Sequence, residues 1–298
     1  MTTSVPRRSG LLPVLRGCLA GAALGLNTLV MFSLMIPPAL LKRALPAAAV
    51  RRLCDRALNA TASRWVANNN AWIAAVSPAE WDVQVSDGLR PGGWYLVSCN
   101  HQSWVDILVL QRVLHGRIPF LKFFLKAELI WVPVIGLAWW ALDFPFMKRG
   151  KGLNSRNGDL KTTRQACEKF RHIPTAVMNF VEGTRNTPAK HAAQSSPYKH
   201  LLRPKIGGLG VALATMGEQF ESLVDVTIVY PHGTPTFWDL LTGRLDKVSV
   251  RVQQRSIPAD VLGGDPVADK AYRRRIGDWV EQQWAEKDAL IDAVLAEA

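Results

Sequence analysis

An uncharged apolar run near the N-terminus constrains this chain more than any other feature. Gly17–Leu41 contains no Asp, Glu, Lys or Arg over 25 consecutive positions. About 20 apolar residues are enough for a helix to cross the hydrocarbon core of a bilayer. The run therefore predicts a membrane anchor. The pairs Asn27-Thr28 and Pro37-Pro38 could break the helix, so a full span and a hairpin that re-enters one leaflet both stay open.

Cations flank this run on both sides. Residues 1–60 contain eight Lys and Arg side chains and one acid, Asp55, so they contribute 8 − 1 = +7 to the net charge of +12. Anionic headgroups attract cations placed beside a membrane segment. A cleaved signal peptide would be shorter and begin earlier, and a buried soluble helix would leave the cations unexplained. More cations follow the run than precede it, which predicts that the rest of the chain lies in the cytoplasm.

The overall charge also needs an anionic partner, either a phospholipid surface or nucleic acid. A nucleic-acid-binding domain usually shows a basic stripe with interleaved aromatic residues or a recognisable motif, and this sequence has neither. We therefore expect no nucleic-acid partner. The four cysteines at positions 18, 54, 99 and 167 lie far apart and lack the spacing of metal ligands, which predicts free thiols and no metal site.

Helix-like and strand-like runs organise the rest of the chain. A helical pattern over Ala47–Val76 predicts that residues 1–77 form an N-terminal membrane-anchoring helical region. Beyond it, strands and helices alternate, which predicts that residues 78–298 form an α/β domain with a mixed, mostly buried sheet flanked by helices. Predicted strands cover residues 83–85, 94–99, 118–124, 142–147, 175–181, 223–230 and 247–253. Predicted helices cover residues 105–114, 152–171, 207–216 and 268–298, and residues 186–198 are expected to form a mobile surface loop.

The most informative stretch lies where the strand over residues 94–99 ends and the helix over residues 105–114 begins. It holds His101 and, five positions later, Asp106. A carboxylate in the first helical turn can accept the Nδ1 proton of an imidazole, which leaves Nε2 to take a proton from a substrate hydroxyl. Since the sequence has no G-x-S-x-G elbow, a substrate alcohol would be the nucleophile. A purely structural interpretation also exists, because Ser103 and Asp106 form a helix-capping pattern.

Four segments resemble, in the same order, the sequence blocks of the glycerolipid acyltransferase superfamily, which includes the 1-acylglycerol-3-phosphate acyltransferases. These segments are Asn100–Asp106 (N-H-x-x-x-x-D), Phe144–Arg149, Phe180–Arg185 (similar to F-P-E-G-T-R) and Val226–Pro231. The sequence departs from the pattern at Val181, where the family usually has proline. Phe120–Arg149 and Tyr198–Lys205 look most like the lysocardiolipin and lysophosphatidylinositol acyltransferase branch and its bacterial relatives.

The resemblance implies which residues form the site. His101 and Asp106 would act as a general-base pair. The acceptor headgroup would be bound by Arg149, Glu182, Gly183, Thr184 and Arg185. Guanidinium groups suit this role because they bind phosphate through paired, charge-assisted hydrogen bonds.

The resemblance also implies an activity for residues 78–298, the acyltransferase catalytic domain. It would move a fatty acyl group from acyl-CoA or acyl carrier protein to the free hydroxyl of 1-acylglycerol-3-phosphate or a related lysophospholipid. Because a thiol leaves readily, no metal or redox cofactor is expected. The expected partners are the bilayer, the lysophospholipid acceptor and the acyl donor, and the expected location is the bacterial inner membrane. Two alternatives stay open: a lipid-binding protein that keeps the fold without catalysis, and acyl transfer to another acceptor such as lysocardiolipin or an aminolipid.

Overall fold

The structure, a computed structural model, describes residues 10–45, 47–123, 125–132, 134–144, 146–147, 174–266 and 268–298. In this part of the chain, helices α1 to α8 cover, in order, Leu11–Ala44, Ala48–Val76, Val105–Leu114, Ile135–Ala141, Pro188–Gln194, Gly207–Met216, Phe237–Leu241 and Lys270–Ala296. Strands β1 to β8 cover Glu80–Val85, Tyr95–Cys99, Leu121–Phe123, Leu125–Lys126, Phe146–Met147, Ala176–Phe180, Ser222–Val229 and Lys247–Arg255.

Six of the strands form one sheet in the order β1-β8-β7-β2-β6-β3, while β4 and β5 form a separate pair. Strands β7, β2, β6 and β3 run parallel to one another. Strand β8 pairs antiparallel with β7 and parallel with β1. The predicted α/β fold with a mixed sheet is therefore confirmed. The carboxyl ends of β2, β6 and β7 meet at one edge of the sheet, the usual position of functional groups in such folds.

Helices cover both faces of the sheet because successive strand residues point in opposite directions. On one face, Val97 of β2 belongs to a buried cluster with Val109 and Leu110 of α3. On the other face, Leu96 belongs to a buried cluster with residues of α6 and α8, including Trp284. Strand β2 is therefore buried on both sides, which fixes the position of the segment that follows it.

Helix α1 runs unbroken through Pro37 and Pro38 to Ala44. At 1.5 Å per residue it is about 50 Å long. The possible break at Pro37-Pro38 is therefore absent, and the chain turns back between α1 and α2, so the full span and the re-entrant hairpin both stay predictions. Each proline removes a backbone donor, but Met35 and Ala39 around them are buried against α2 and α4, so packing holds this end of the helix.

The helix is also unbroken at Asn27-Thr28, where the side chains form hydrogen bonds. Asn27 Nδ2 donates to Asn69 Oδ1 of α2 over 2.8 Å, and Asn68 Nδ2 donates to Asn27 Oδ1 over 2.9 Å. Thr28 Oγ1 donates to the backbone oxygen of Leu24, one turn earlier, over 2.9 Å. These polar side chains therefore join α1 to α2 without interrupting the helix.

The outer face of α1 is apolar and exposed. Large apolar side chains at residues 11, 12, 14, 15, 19, 26, 29, 30, 34, 36, 40 and 41 are exposed. Among the described residues, α1 is the one helix long and apolar enough to cross a membrane, and only 17% of its most apolar window is buried. The core helix of a soluble protein would be mostly buried, so this exposure favours membrane association. The division into domains at residue 77 stays a prediction.

Several predicted elements differ from the structure. The strand expected over residues 118–124 is divided between β3 in the main sheet and β4 in the small pair. The strand expected over residues 142–147 is reduced to β5, and α4 precedes it. The loop expected over residues 186–198 contains α5, which starts at Pro188 and is capped by the Thr187 hydroxyl. The helix predicted over residues 152–171 lies outside the described residues.

Candidate active site

The carboxyl ends of three neighbouring strands bring polar side chains together. His101 follows β2, Glu182 follows β6 and Tyr230 follows β7. Because β2 pairs in parallel with both β6 and β7, the three segments leave the sheet side by side. Residues far apart in the sequence therefore surround His101.

His101 is held in one orientation by two contacts. Its Nδ1 lies 2.9 Å from Asp106 Oδ2, and its ring stacks on Phe180 with centroids 3.9 Å apart and planes inclined by 14°. A carboxylate can only accept, so Nδ1 donates and Nε2 of the neutral ring carries a lone pair. This Nε2 has no hydrogen-bond partner among the residues that the structure describes. The ring is thus fixed with one nitrogen available to accept a proton.

The Asp106 carboxylate serves the helix as well as the histidine. Its Oδ2 also accepts from the backbone N–H of Gln102 over 2.6 Å and of Ser103 over 2.8 Å. Its Oδ1 accepts from the Tyr230 hydroxyl over 2.6 Å, and the side chain is 1% exposed. Burial, and then the neighbouring Asp106, raises the pKa of Tyr230 well above its usual value, so this hydroxyl remains a donor. Asp106 therefore orients the histidine and also supplies one of the two bonds of the predicted capping pattern, while the Ser103 hydroxyl accepts from the Val105 N–H instead of the Asp106 N–H.

Glu182 is fully buried and connects the third block to the first. Its Oε2 accepts from the backbone N–H of His101 over 2.6 Å, and its Oε1 accepts from that of Leu202 over 2.9 Å. Burial raises the pKa of Glu182 from 4.5 to about 7, although these two N–H groups lower it. Trp284 of α8 donates to the Leu202 oxygen over 2.9 Å and so supports this loop. Glu182 thus positions the His101 backbone, and its contact with the acceptor stays a prediction.

Backbone requirements explain two residues of the third block. Gly183 has φ +66°, and an added Cβ would lie 3.1 Å from Lys205 Cδ, so glycine suits this position on two grounds. The Val181 N–H donates to the Cys99 oxygen over 3.4 Å, a bond that proline at this position could not make. The Val181 oxygen accepts from the Lys205 N–H over 2.7 Å. Valine in place of the family's proline therefore allows one more hydrogen bond between the ends of β2 and β6.

The remaining residues of the third block lie beside the first. The Arg185 guanidinium sits over the Trp104 ring, 4.6 Å from its centroid. The backbone N–H of Asn186 donates to the His101 oxygen over 2.7 Å. Thr184 Oγ1 accepts from Lys190 Nζ of α5 over 2.6 Å. The structure therefore brings the predicted residues of the third block next to His101 and Asp106.

One predicted site residue, Arg149, lies outside the described residues. Three residues were given no role from sequence: Tyr230, Phe180 and Lys190. Tyr230 and Phe180 belong to the fourth and third family blocks. The position of Tyr230 at the end of an apolar strand was a sequence signal for a site residue. Lys190 lay in the predicted loop, where a threonine followed by proline was the missed sign of a helix start. Among the described residues, no three His, Cys, Asp or Glu side chains form a group that could hold a metal ion.

Known proteins share this sequence pattern and this fold. Residues 81–232 match the model of the family described as Acyltransferase. The chain is 31% identical over 215 residues to 1-acyl-sn-glycerol-3-phosphate acyltransferase 2 of Arabidopsis thaliana, which covers 67% of this chain and 52% of that protein. It is 23% identical over 219 residues to lysocardiolipin acyltransferase 1 of Gallus gallus, covering 69% of this chain and 55% of the relative.

The crystal structure of the 1-acyl-sn-glycerophosphate (LPA) acyltransferase PlsC from Thermotoga maritima has the same fold. It superposes with a TM-score of 0.53 over 92% of this chain and 96% of that chain, at 16% identity. With fold, site and family pattern in agreement, the chain belongs to the acyltransferase family, and the predicted resemblance to the glycerolipid acyltransferases is confirmed. The chain spans about half the length of the curated relatives it matches.

Proposed function

We propose that this protein is a membrane-bound O-acyltransferase acting on lysophospholipids. It transfers a fatty acyl group from acyl-CoA or acyl carrier protein to the free hydroxyl of 1-acylglycerol-3-phosphate or a related lysophospholipid. The observation that carries this proposal is the hydrogen bond between His101 Nδ1 and Asp106, which leaves Nε2 without a partner among the described residues, beside the segment that holds Arg185. The names of the relatives support the same class of acceptor.

The proposed reaction is direct transfer with the substrate alcohol as nucleophile. His101 Nε2 takes the hydroxyl proton while the oxygen attacks the thioester carbonyl carbon. Asp106 stabilises the resulting imidazolium through Nδ1. The tetrahedral intermediate then collapses, the carbon–sulfur bond breaks, and the departing thiolate takes the proton from the imidazolium. The step needs no metal or redox cofactor.

Cations beside the base suit a phosphate-bearing acceptor. Arg185 offers a planar set of donors that can pair with two phosphate oxygens. Lys190 adds a positive charge at Thr184. We assign Arg149, Thr184 and Arg185 to the acceptor headgroup, with Gly183 allowing close backbone approach. The phosphate then lies at the same sheet edge as the imidazole, so the headgroup and the hydroxyl to be acylated are positioned together.

We further propose that the protein is held in a membrane by α1 and faces the cytoplasm of a bacterial cell from the inner membrane. The exposed apolar face of α1 supports insertion, and the cations after it support this orientation. Trp131 and Leu137, next to and within α4, are 85% and 57% exposed. Since α4 packs on α1, these side chains extend the same apolar surface.

The test is an acceptor panel combined with removal of the base. Membranes containing the protein are incubated with labelled acyl-CoA or acyl carrier protein and with 1-acylglycerol-3-phosphate, lysocardiolipin, lysophosphatidylglycerol or an aminolipid. We expect turnover of at least one lysophospholipid, and we expect His101→Ala to lower it about 10²–10⁴-fold. His232→Ala, which removes an exposed imidazole, is the matched control and should keep activity.

Each outcome separates the candidate functions. Unchanged turnover in His101→Ala would show that this imidazole is not the base. Binding of lysolipid without acylation by any donor would instead support a lipid-binding protein that has kept the fold. Preference for an acceptor other than 1-acylglycerol-3-phosphate would keep the mechanism and change the assigned substrate.

A further inference from the structure

A second cavity lies at the opposite edge of the sheet from His101. It measures about 600 Å³ and is bounded by α2, the end of α3 and the segments before β2, β3 and β6. Asp106 lies in the first turn of α3 and His115 caps its last turn, so the rise of 1.5 Å per residue places the two about 13 Å apart. A volume of this size suits a small-molecule ligand, for which pockets of roughly 300–1,000 Å³ are usual.

One stripe of α2 gives this cavity a polar, cationic wall. Arg52, Arg56, Asn59 and Ser63 line it, at spacings of four, three and four residues that place them on one helix face. Both arginines are exposed, and neither forms an ion pair with any residue that the structure describes. The acid between them, Asp55, pairs with Lys42 of α1, which also pairs with Asp143, so the two arginines outnumber the one acid on this stripe. The wall therefore favours an anionic ligand.

A buried side chain on the other wall is left without a partner. Gln111 of α3 lines the cavity and is 7% exposed, and its Oε1 has no hydrogen-bond partner among the described residues. A buried polar atom left unpaired is costly, and nearly all such atoms in native proteins are paired. A ligand hydroxyl would satisfy this acceptor. Nearby, Ser63 Oγ lies 3.0 Å from His115 Nε2, so these two groups are already paired.

Apolar side chains form another part of the wall. Leu114, Ile118 and Phe120 line the cavity beside the polar stripe. A water-soluble phosphate ester gains no stabilisation from an apolar wall, whereas a lipid can bury its apolar part against it. The ligand that matches all three walls is an anionic amphiphile with a hydroxyl group.

We propose that this cavity binds the phosphoglycerol headgroup of an anionic phospholipid. Arg52 and Arg56 contact the phosphate, Gln111 contacts a headgroup hydroxyl, and the glycerol backbone lies against the apolar wall. The site is separate from the candidate active site and does not depend on acyl transfer. Binding at this site holds the start of α2 against an anionic lipid, so the protein should associate more strongly with membranes rich in such lipid.

Binding can be measured without any acyl donor. Purified full-length protein in a nonionic detergent is titrated calorimetrically with dioctanoyl phosphatidylglycerol. We expect Arg56→Gln to weaken binding about tenfold or more, because a charge-assisted phosphate contact is lost. We expect Gln111→Leu to weaken it about fivefold. The matched control is Arg51→Gln, which removes the same charge from the same helix outside the cavity and should change binding less than about twofold.

Other arms identify the ligand and its position. Dioctanoyl phosphatidylcholine, which lacks the hydroxyl and the net charge, should bind at least about tenfold more weakly. Equal affinity for glycerol 3-phosphate would show that the ligand is a soluble phosphate ester. Equal weakening by Arg51→Gln would show non-specific surface attraction. Binding lost in Arg185→Gln but kept in Arg56→Gln would place the lipid at the candidate active site. Any of these three results overturns the proposal.

Discussion

The candidate active site and the α1–α2 pair distribute polarity in opposite ways. Around His101, buried side chains are charged or polar and paired, as the four hydrogen bonds to Asp106 show. In the N-terminal pair, the polar side chains of Asn27 and Asn69 lie between the helices, while leucines cover the outside of α1. The first region buries its polar groups from water, and the second presents apolar groups to its surroundings.

This contrast indicates that the two regions depend on different physical terms. The buried Asp106 carboxylate acts on His101 through orientation and charge, so replacing one of its atoms should strongly affect acyl transfer. An exposed apolar face acts through area, and its contribution is spread over many side chains. Changes in one region should therefore leave the property of the other region intact, which makes the comparison testable.

The largest effect is expected at Asp106. Asp106→Asn removes the negative charge that stabilises the His101 imidazolium and puts an amide donor among the four donors aimed at this carboxylate. We expect acyl transfer to fall about 10²–10⁴-fold while membrane binding is unchanged. Labelled-acyl incorporation measures the first, and vesicle flotation measures the second.

Tyr230→Phe is the matched control, because it removes one hydrogen bond to the same carboxylate and keeps the contact with Nδ1. We expect a loss of about tenfold, which corresponds to the roughly 1.5 kcal/mol at the lower end of the range for one hydrogen bond to a charged group. A loss in Tyr230→Phe as large as that in Asp106→Asn would contradict the assignment of the Asp106 charge to stabilising the His101 imidazolium.

The next effect concerns the opposite region. Leu26, on the outer face of α1, is 63% exposed. Leu26→Lys should weaken partition into anionic vesicles by roughly 70- to 400-fold, because a lysine in the hydrocarbon region costs about 2.5–3.5 kcal/mol. Val83→Lys, at an exposed apolar position on β1, is the control and should leave partition unchanged. Equal partition of wild type and Leu26→Lys would show that this face of α1 does not enter lipid.

Regular hydrophobic patterns made much of the fold predictable. Helices α3 and α6 have the predicted bounds, and α2 differs by one residue. A glycine or a Ser-Pro pair near the end of each helix made its limit visible in the sequence. The sheet order was not predictable, since the pairing of β1 with β8 depends on contacts between segments more than 160 residues apart. Short α4 was missed because the aromatic run around it has neither helical nor strand period.

The candidate site was predictable where its residues are close in sequence. His101 and Asp106 are five positions apart, between the end of β2 and the first turn of α3. This spacing alone suggested their hydrogen bond. Tyr230 and Glu182 reach the same place only through the parallel pairing of β2 with β6 and β7. Their hydrogen bonds to Asp106 and to the His101 backbone therefore needed the three-dimensional arrangement.

A smaller effect, on stability, is expected from Glu182. Burial raises its folded pKa from 4.5 to about 7, so the folded protein holds this proton more tightly than the unfolded chain. Its contribution to the free energy of unfolding is complete below about pH 4.5 and is lost as the pH rises to about 7, a fall on the order of 3 kcal/mol. In Glu182→Gln this fall should be absent. Urea unfolding of the wild type and of Glu182→Gln, at about six pH values between roughly pH 4 and 8, measures the difference. If the free energy of unfolding depended on pH in the same way in both proteins, the raised pKa of Glu182 would be contradicted.

The smallest effect is expected at Trp104, whose ring lies against the Arg185 guanidinium. Trp104→Ala should raise KM for the acceptor about two- to fivefold with little change in kcat, because an exposed cation–π contact contributes roughly 0.5–1 kcal/mol to holding the arginine. Trp81→Ala is the matched control, since Trp81 stacks with Arg112 at a similar 4.5 Å but belongs to β1 at the far side of the sheet. A rise in KM shared by both variants would reflect general destabilisation. A rise confined to Trp104→Ala would sharpen the comparison, because it would show that this exposed apolar side chain, unlike the exposed leucines on α1, serves the chemistry of the site rather than the lipid surface.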